Sequence, residues 1–341
     1  MFLGPDGRRA ANPMDVLLLS HEDVVALLPV EECIPLMRDA LVSHAGGQVY
    51  QPLRTVVRPP DAAGLMGLMP AYSSGARPAF GLKAICVFPA NAARGKDSHQ
   101  GAVLLFSAET GELLAVVNAS AVTAVRTAAV SGVATHALAR EDAGDLAVIG
   151  AGVQARSHVE AMSRVRRIRR CRVASRSFES ALRLARELEG RYAFPVEAVG
   201  TAEEALGGAD LIVTATSAAE AVVRREWVSG GAHVNAVGAC TPNARELDAA
   251  TVAASSLFVD SVESTLNEAG DYLRAAREGA VGPGHIRAEL GEVLMGSKPG
   301  RTSDDEITLF KSLGVAAEDL AAARYLYDKA RETGAGTRVR F

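Results

Sequence analysis

The sequence predicts an α/β protein in two parts. One is a parallel-sheet unit with helices on both faces, and ahead of it lies an α+β unit. Three observations predict this. Between residues 48 and 118, apolar and β-branched runs are joined by short connections rich in Pro, Gly and Ser, the mark of mostly antiparallel pairing. From residue 145 onward, strand-like runs alternate with helical ones, which implies parallel strands covered on both sides. At the first of those strands sits a glycine turn, "GAGVQA".

Taken in order, "MFLGPDGRRAANP" has arginines but no apolar core, so it is not expected to be a signal peptide. The first dozen residues read as loose. "VLLLSHEDVVALLPV" is broken by charge within a few residues and is too short to span a bilayer. The runs "QVYQPLRTVVRPP", "GLMGLMPAYSS", "AFGLKAICVFP" and "GAVLLFSAETGELLAVVNA" read as strands, with "AETGE" as a hairpin turn. "ASAVTAVRTAAVSGVATHALA" is apolar nearly all the way round, so a buried helix is expected over 119–139. Next come "DLAVIG", "CRVAS", "PVEAVG", "DLIVTATS", "AHVNAVG" and "SLFVDS". They are separated by helical stretches such as "FESALRLARELEG" and "TAEEALGGA", the latter with Thr201 and Glu204 at capping-box spacing. The basic run "RVRRIRRCR" reads as a solvated helix end leading into a strand. "EDLAAARYLYDKARE" is a closing helix that must dock, and the first unit is its expected seat.

The totals exclude several classes. At 341 residues, two domains are expected. With 48% hydrophobic and 22% charged residues, the chain has material for a packed core. A net charge of -4 gives no reason to expect nucleic acid or a membrane as partner. Four scattered cysteines without a CxxC pair argue for a reducing, cytoplasmic setting. No HExxH or thiolate spacing supports a metal site.

"GAGVQA" is G-x-G-x-x-A, the dinucleotide-binding fingerprint, following a strand and opening a helix as it should. Gly150 permits the tight turn, Gly152 lets the backbone approach a pyrophosphate, and Ala155 lets the helix pack close. The N–H groups of Val153 and Gln154 belong to the helix N-terminus that meets the phosphates. The parallel-sheet unit is therefore of Rossmann type. At the end of its second strand an NAD-type chain carries Asp or Glu, whereas this chain has Ser175, Arg176 and Ser177. A guanidinium and two hydroxyls suit a 2′-phosphate, so NADPH is expected rather than NADH. The nicotinamide end is expected near Val237 and Gly238, at the C-terminal edge of the sheet.

Three cations stand in apolar surroundings. Arg126 lies mid-helix with no acid within four residues, Lys83 shares a strand face with Ile85 and Val87, and Arg54 alternates with Leu53 and Thr55. Buried guanidinium without a partner is costly. Together with a dinucleotide, the trio suggests a small carboxylate held against the nicotinamide.

"QPLRTVV", "GLMPAYSS", "SHQGAVLLF", "ETGELLAVVNASAVTAVRTAAVS", "IGAGVQARSH", "GAHVNAVGA", "RELD", "AELGEV" and "LFKSLG" resemble blocks of the ornithine cyclodeaminase/mu-crystallin family from about Gln48 to Tyr327. The chain looks closest to the family's mu-crystallin branch of NADPH-dependent ketimine reductases. The resemblance implies a homodimer whose subunit has a Rossmann domain, expected over 126–305, and a substrate-binding and dimerisation domain over 1–125 plus 306–341. It also implies that Arg54, Lys83 and Arg126 hold a substrate carboxylate, with Thr127 and Lys311 near cofactor and substrate. Cyclodeaminases carry an aspartate where this chain has Cys240, and a glutamate where it has Gly67; a thiol is no substitute for a carboxylate base. The expected activity is thus NADPH-dependent reduction of a C=N bond beside a carboxylate, on a cyclic ketimine such as piperideine- or pyrroline-2-carboxylate. The alternatives are an amino-acid or opine-type dehydrogenase, a cyclodeaminase, and a non-catalytic NADPH-dependent ligand binder. His99, Glu268 and Asp271 are read as ordinary structural or solvated residues, and Cys240 as a pocket-lining thiol.

Overall fold

The computed structural model describes residues 15–75 and 77–341; the first dozen residues, read above as loose, lie outside the described residues. The first unit comprises β1 (Asp15–Leu19), α1 (His21–Leu27), α2 (Val30–Ala45), β2 (Val49–Tyr50), β3 (Thr55–Val57), β4 (Leu65–Ser73), β5 (Ala79–Val87), β6 (His99–Ser107) and β7 (Leu113–Asn118). Then α3 (Ala119–Leu138) leads to β8 (Asp145–Ile149), α4 (Val153–Val165), β9 (Arg170–Ala174), α5 (Phe178–Leu188), β10 (Val196–Ala198), α6 (Ala202–Leu206), β11 (Leu211–Thr214) and β12 (His233–Ala236). The chain continues through α7 (Ala249–Ala253), β13 (Ser256–Val259), α8 (Val262–Glu268), α9 (Gly270–Arg277), β14 (Ile286–Glu289), α10 (Leu290–Leu294), β15 (Thr308–Lys311), α11 (Ala316–Thr333) and β16 (Thr337–Arg340).

The first sheet runs β16-β1-β7-β6-β5-β4-β2, with β3 also paired to β4. From β7 to β2 it is antiparallel, as the short connections require. Its far edge lies outside the stretch that expectation covered: β1 lies parallel to β7, and β16 closes antiparallel on β1. Both strands are four or five residues long, too short for a period-2 signal to stand out. Helix α1 follows from its start signal, since Ser20 and Asp23 form a reciprocal capping box.

The second sheet, β10-β9-β8-β11-β12-β15-β13-β14, is parallel throughout. Its strand order reverses beside β8, which places a crevice at the strands' C-terminal ends. The chain re-enters the first unit later than expected at residue 306. Strand β15 pairs with both β12 and β13 and is buried at every position, so the parallel sheet keeps the chain through Lys311. The boundary at 126 likewise falls inside α3, which is continuous.

Helix α3 joins the two halves. Asn118 caps it by accepting from the Ala121 N–H at 2.9 Å. It packs against α2 and β6 of the first unit and against α4 and β12 of the second, and every residue from Arg126 to Thr135 is buried. Its last turn is held by Arg166, whose guanidinium donates to the carbonyls of Thr135, Ala139 and Arg140. This part of the basic run is a helix tether rather than a solvated face. Arg169 and Arg170 pair with Asp145 and, for Arg169, Asp210. At α6, Thr201 accepts from the Glu204 N–H, but the Glu204 carboxylate takes the Gly200 N–H instead of closing a full box. The closing helix α11 packs on β4, β5 and β6, beside α2 and α3. No helix among the described residues is long and apolar enough to cross a membrane.

Candidate active site

The C-terminal ends of β8, β9, β12, β13 and β15 form one rim, and the first unit's cations lean over it. At the end of β8, Gly150 adopts φ +123°, and a Cβ there would stand 2.4 Å from the Ala215 carbonyl oxygen. Only glycine makes this turn. Gly152 caps α4 in an extended conformation with open space where a Cβ would be, and no side chain caps the helix. The first N–H groups of a 13-residue helix, those of Val153 and Gln154 among them, are thus left for a phosphate. Val153 is exposed, whereas Ala155 is fully buried against the strand layer. The Gln154 side chain donates to the Thr123 carbonyl of α3 at 3.2 Å. These residues fit a dinucleotide pyrophosphate.

At the end of β9, the Ser175 hydroxyl donates to the Ser177 carbonyl, and Arg176 is exposed. One carboxylate does stand in this neighbourhood: Glu179, in the first turn of α5, accepts from the Ser177 hydroxyl at 2.8 Å. Sequence reading overlooked it by looking only at the strand end.

The three cations come from three elements. Arg54 sits just before β3, Lys83 on the inner face of β5, and Arg126 in the middle of α3; Lys83 and Arg126 are 3% and 4% exposed. None is unpaired: no acid lies within four residues of Arg126, as expected, but distant ones reach it. The acids come from afar in the chain: Lys83 Nζ meets Asp319 Oδ2 at 2.6 Å, Arg126 Nε meets Asp319 Oδ1 at 3.2 Å, and Arg126 Nη1 pairs with Glu318. Arg54 Nε meets Glu268 at 2.8 Å, and its Nη2 donates to the carbonyls of Leu313 and Gly314, both at 2.9 Å. The Leu313 and Gly314 N–H groups donate to Asp260 just beyond β13. The Leu313–Gly314 turn thus joins Arg54, Arg126 and the parallel-sheet rim.

Burial sets the protonation. It pushes Lys83 down to about 8, with Asp319 opposing and Arg126 reinforcing. Arg126 loses stability as a cation through burial but is held charged by Asp319 and Glu318, so its pKa rises. Burial lifts Glu318 to about 7 against the pull of Arg126. It also raises Asp260 and Glu268, the latter against Arg54. His99 lies at the start of β6, at an exposed position.

Under the rim lies a second buried network. Glu246 accepts from the Thr214 hydroxyl, from the N–H and hydroxyl of Thr216, and from the Gly238 N–H. Asp271 takes the Glu246 and Leu247 N–H groups and meets Lys311 Nζ at 3.1 Å, while Lys311 also donates to the Ala236 carbonyl. Asp271 is 2% exposed, so the expected solvated helix acid is a core anchor, and Lys311 is committed to it. Val237 follows β12 directly, held by the Thr214 carbonyl. The Cys240 thiol donates to the Val237 carbonyl. Thr127 is buried beside Arg126. Glu246, Asp260, Glu318 and Asp319 were missed by sequence reading; the "RELD" block carried the first, and an acid pair set among alanines and leucine in the first turn of a helix that must dock was the available sign of the last two.

This arrangement has known counterparts. The chain is 38% identical over 327 residues to Delta(1)-pyrroline-2-carboxylate reductase of Bacillus cereus, covering 96% of this chain and 100% of that protein. It is 41% identical over 298 residues to the mouse (Mus musculus) ketimine reductase mu-crystallin, covering 86% and 91%. Among solved structures, Thermococcus litoralis Delta(1)-pyrroline-2-carboxylate reductase in complex with NADH and L-proline superposes with a TM-score of 0.92 at 40% identity, over 95% of this chain and all of that one. The model of one family spans residues 14–334, both units and the rim between them. On that match and those identities, the chain belongs to the ornithine cyclodeaminase/mu-crystallin family.

Proposed function

We propose that the protein is a ketimine reductase: it uses NADPH to reduce a C=N bond adjacent to a carboxylate, on a cyclic imine of the pyrroline- or piperideine-2-carboxylate kind. One observation carries this reading. Arg54, Lys83 and Arg126, from three separate elements, converge on the same sheet rim that bears the glycine turn. The relatives named for pyrroline-2-carboxylate and ketimine reduction support it.

The nicotinamide coenzyme supplies the hydride. The chain's own residues bind and orient the acceptor. Arg54 and Arg126 are fixed by Glu268, Glu318 and Asp319, so their remaining N–H donors are pre-aimed and need little reordering to grip a carboxylate. Lys83, with its pKa near 8, holds a proton at Nζ that the reacting nitrogen can receive. The near-complete burial of Lys83 and Arg126 keeps water from competing for these contacts. A cyclodeaminase reading gains no support at the two positions that would carry its acids. Cys240 bonds the Val237 carbonyl, and Gly67 faces only Ile85.

For the coenzyme, Arg176 and the Ser175 and Ser177 hydroxyls favour the 2′-phosphate, while Glu179 opposes it; we assign NADPH on the balance of one exposed guanidinium. We also infer a homodimer. On the outer face of the first sheet, Pro70, Leu82, Leu104, Val116 and Leu18 align across β4, β5, β6, β7 and β1. Met66 and Phe80, on the same face, are 41% and 48% exposed. A row this apolar is suited to a second copy.

A screen decides the activity: NADPH oxidation over cyclic ketimines, linear amine/2-oxo-acid pairs and amino acids, repeated with NADH. Turnover of the cyclic ketimines is expected. Ammonia release from ornithine without net coenzyme consumption, or tight binding without turnover across the panel, would replace this reading.

A further inference from the structure

We propose that Glu318 takes up a proton when a carboxylate binds among Arg54, Lys83 and Arg126, so that the site exchanges the charge of one of its own acids for that of the ligand. This rests on the reading that the trio holds the substrate carboxylate, and it concerns what the protein must do to admit one.

The charge arrangement leads to it. Lys83, Asp319, Arg126 and Glu318 form one continuous chain of contacts, from Nζ to Oδ2 at 2.6 Å, from Oδ1 to Nε at 3.2 Å, and from Nη1 to the Glu318 carboxylate. All four side chains are less than 5% exposed. Two cations face two acids, so the chain is neutral when every group is ionised. Arg54 is matched in the same way by Glu268, and buried Asp260 lies nearby on the Leu313 and Gly314 N–H groups. The cations therefore have no spare charge for a ligand. Adding a carboxylate would leave uncompensated negative charge in a place that water does not reach, which is costly. Protonating one resident acid removes that cost.

Glu318 is the acid with least to lose. Asp260 is held by backbone N–H donors, Asp319 touches two cations, and Glu268 is the most exposed of the set at 14%. Glu318 is fully buried, keeps one ion-pair contact, and its Oε1 has no hydrogen-bond partner among the described residues. The groups facing it are Arg126 from α3, Lys83 from β5, Asp319 on its own helix and Asp260 beyond β13; the neutral Cys33 thiol of α2 lies within reach of its field. Burial already places its pKa at about 7 in the free protein. A ligand anion raises it further. Uptake is thus absent well below pH 7, where the proton is already bound, and appears as pH rises past it, and carboxylate affinity weakens over the same span. Lys83, at about 8, is largely protonated near neutrality, and the small uptake it adds there persists in Glu318→Gln and is subtracted.

The test is calorimetric titration of the full-length, NADPH-loaded protein with pyrrole-2-carboxylate, a planar carboxylate with no basic nitrogen. Titrations at about pH 7 to 7.5 in buffers of different ionisation enthalpy count the protons taken up per ligand bound. The expected result is a substantial fraction of a proton for the wild type and only the small Lys83 share for Glu318→Gln, with binding retained. In infrared difference spectra, a protonated-carboxyl band should appear on binding in the wild type alone. Binding without proton uptake in the wild type, or with the same uptake in Glu318→Gln, overturns the inference and leaves the carboxylate reading standing. Failure of any carboxylate to bind overturns both. Should Glu318→Gln fail to fold, the wild-type proton count and infrared band decide by themselves.

Discussion

Gly314 lies so close against the Arg126 guanidinium that an added Cβ would stand 2.3 Å from Nη1 and 2.6 Å from Nη2. The same residue sits at φ +73°, and its carbonyl receives Arg54 Nη2. Glycine there meets two demands at once, a left-handed turn and a place for a cation to rest on bare backbone. Gly314→Ala should cost about 1–2 kcal/mol in backbone strain. More diagnostically, it should push Arg126 off its seat, so KM for the imine rises by about tenfold or more while coenzyme affinity holds. Steady-state kinetics beside a coenzyme fluorescence titration would check both; an unchanged KM would detach Arg126 from substrate binding.

The two glycines of the phosphate turn should separate folding from binding. Gly150→Ala forces a Cβ to 2.4 Å from the Ala215 carbonyl oxygen at a φ that L-residues avoid, so the melting temperature should drop by several degrees. Gly152→Val places its side chain in open space. It should melt close to wild type yet bind coenzyme about tenfold or more weakly, since the bulk stands where the pyrophosphate backbone must approach. Differential scanning fluorimetry with and without NADPH reads both effects, and normal coenzyme affinity in Gly152→Val would move the pyrophosphate elsewhere.

What the sequence disclosed follows the reach of its signals. The turn at Gly150 is a local pattern on a strand and a helix, so it could be read directly. Lys83 and Arg126 stood out because alternation and helix periodicity mark a face as buried whatever later covers it. Their partners could not be read in the same way. Glu318 is 192 residues from Arg126, and its pairing exists only because α11 returns across β5 to pack beside α3. The same return explains the displaced boundary: Thr308–Lys311 looked like part of the closing segment, but β12 and β13 leave a gap that only this strand fills. Asp271 shows the opposite failure, an acid on a helix taken for a solvated one although Glu246, Leu247 and Lys311 close around it.

On the proposed reading, coenzyme choice turns on a small contest at the end of β9. Arg176 is exposed and free to approach a 2′-phosphate, whereas Glu179 holds the Ser177 hydroxyl and adds an opposing charge. Arg176→Ala should weaken NADPH by about tenfold to a hundredfold, the range of a charge-assisted bond, and leave NADH nearly untouched. Glu179→Gln should shift preference further toward NADPH. Ratios of kcat/KM for the two coenzymes measure this, and equal losses for both with Arg176→Ala would remove the guanidinium from the 2′ site.

Lys83 makes a prediction in which activity and stability move in opposite directions. Burial brings it down to about 8 from an unfolded value near 10.5, with Asp319 holding it up in part. Between those two values the unfolded chain binds the proton and the folded chain does not, so this group's contribution to stability rises with pH across the interval. If Lys83 gives the proton as proposed, that proton is lost over the same interval, and kcat/KM should fall by about tenfold per pH unit above roughly 8. Activity would then decline while this lysine favours the fold, which separates titration from denaturation. Lys83→Met should remove the alkaline limb and most of the rate, and should make the protein relatively more stable near neutrality than at high pH when compared with wild type. A wild-type rate that stays level past pH 9, about a unit beyond the Lys83 value, would leave the residue with charge alone and no proton to give.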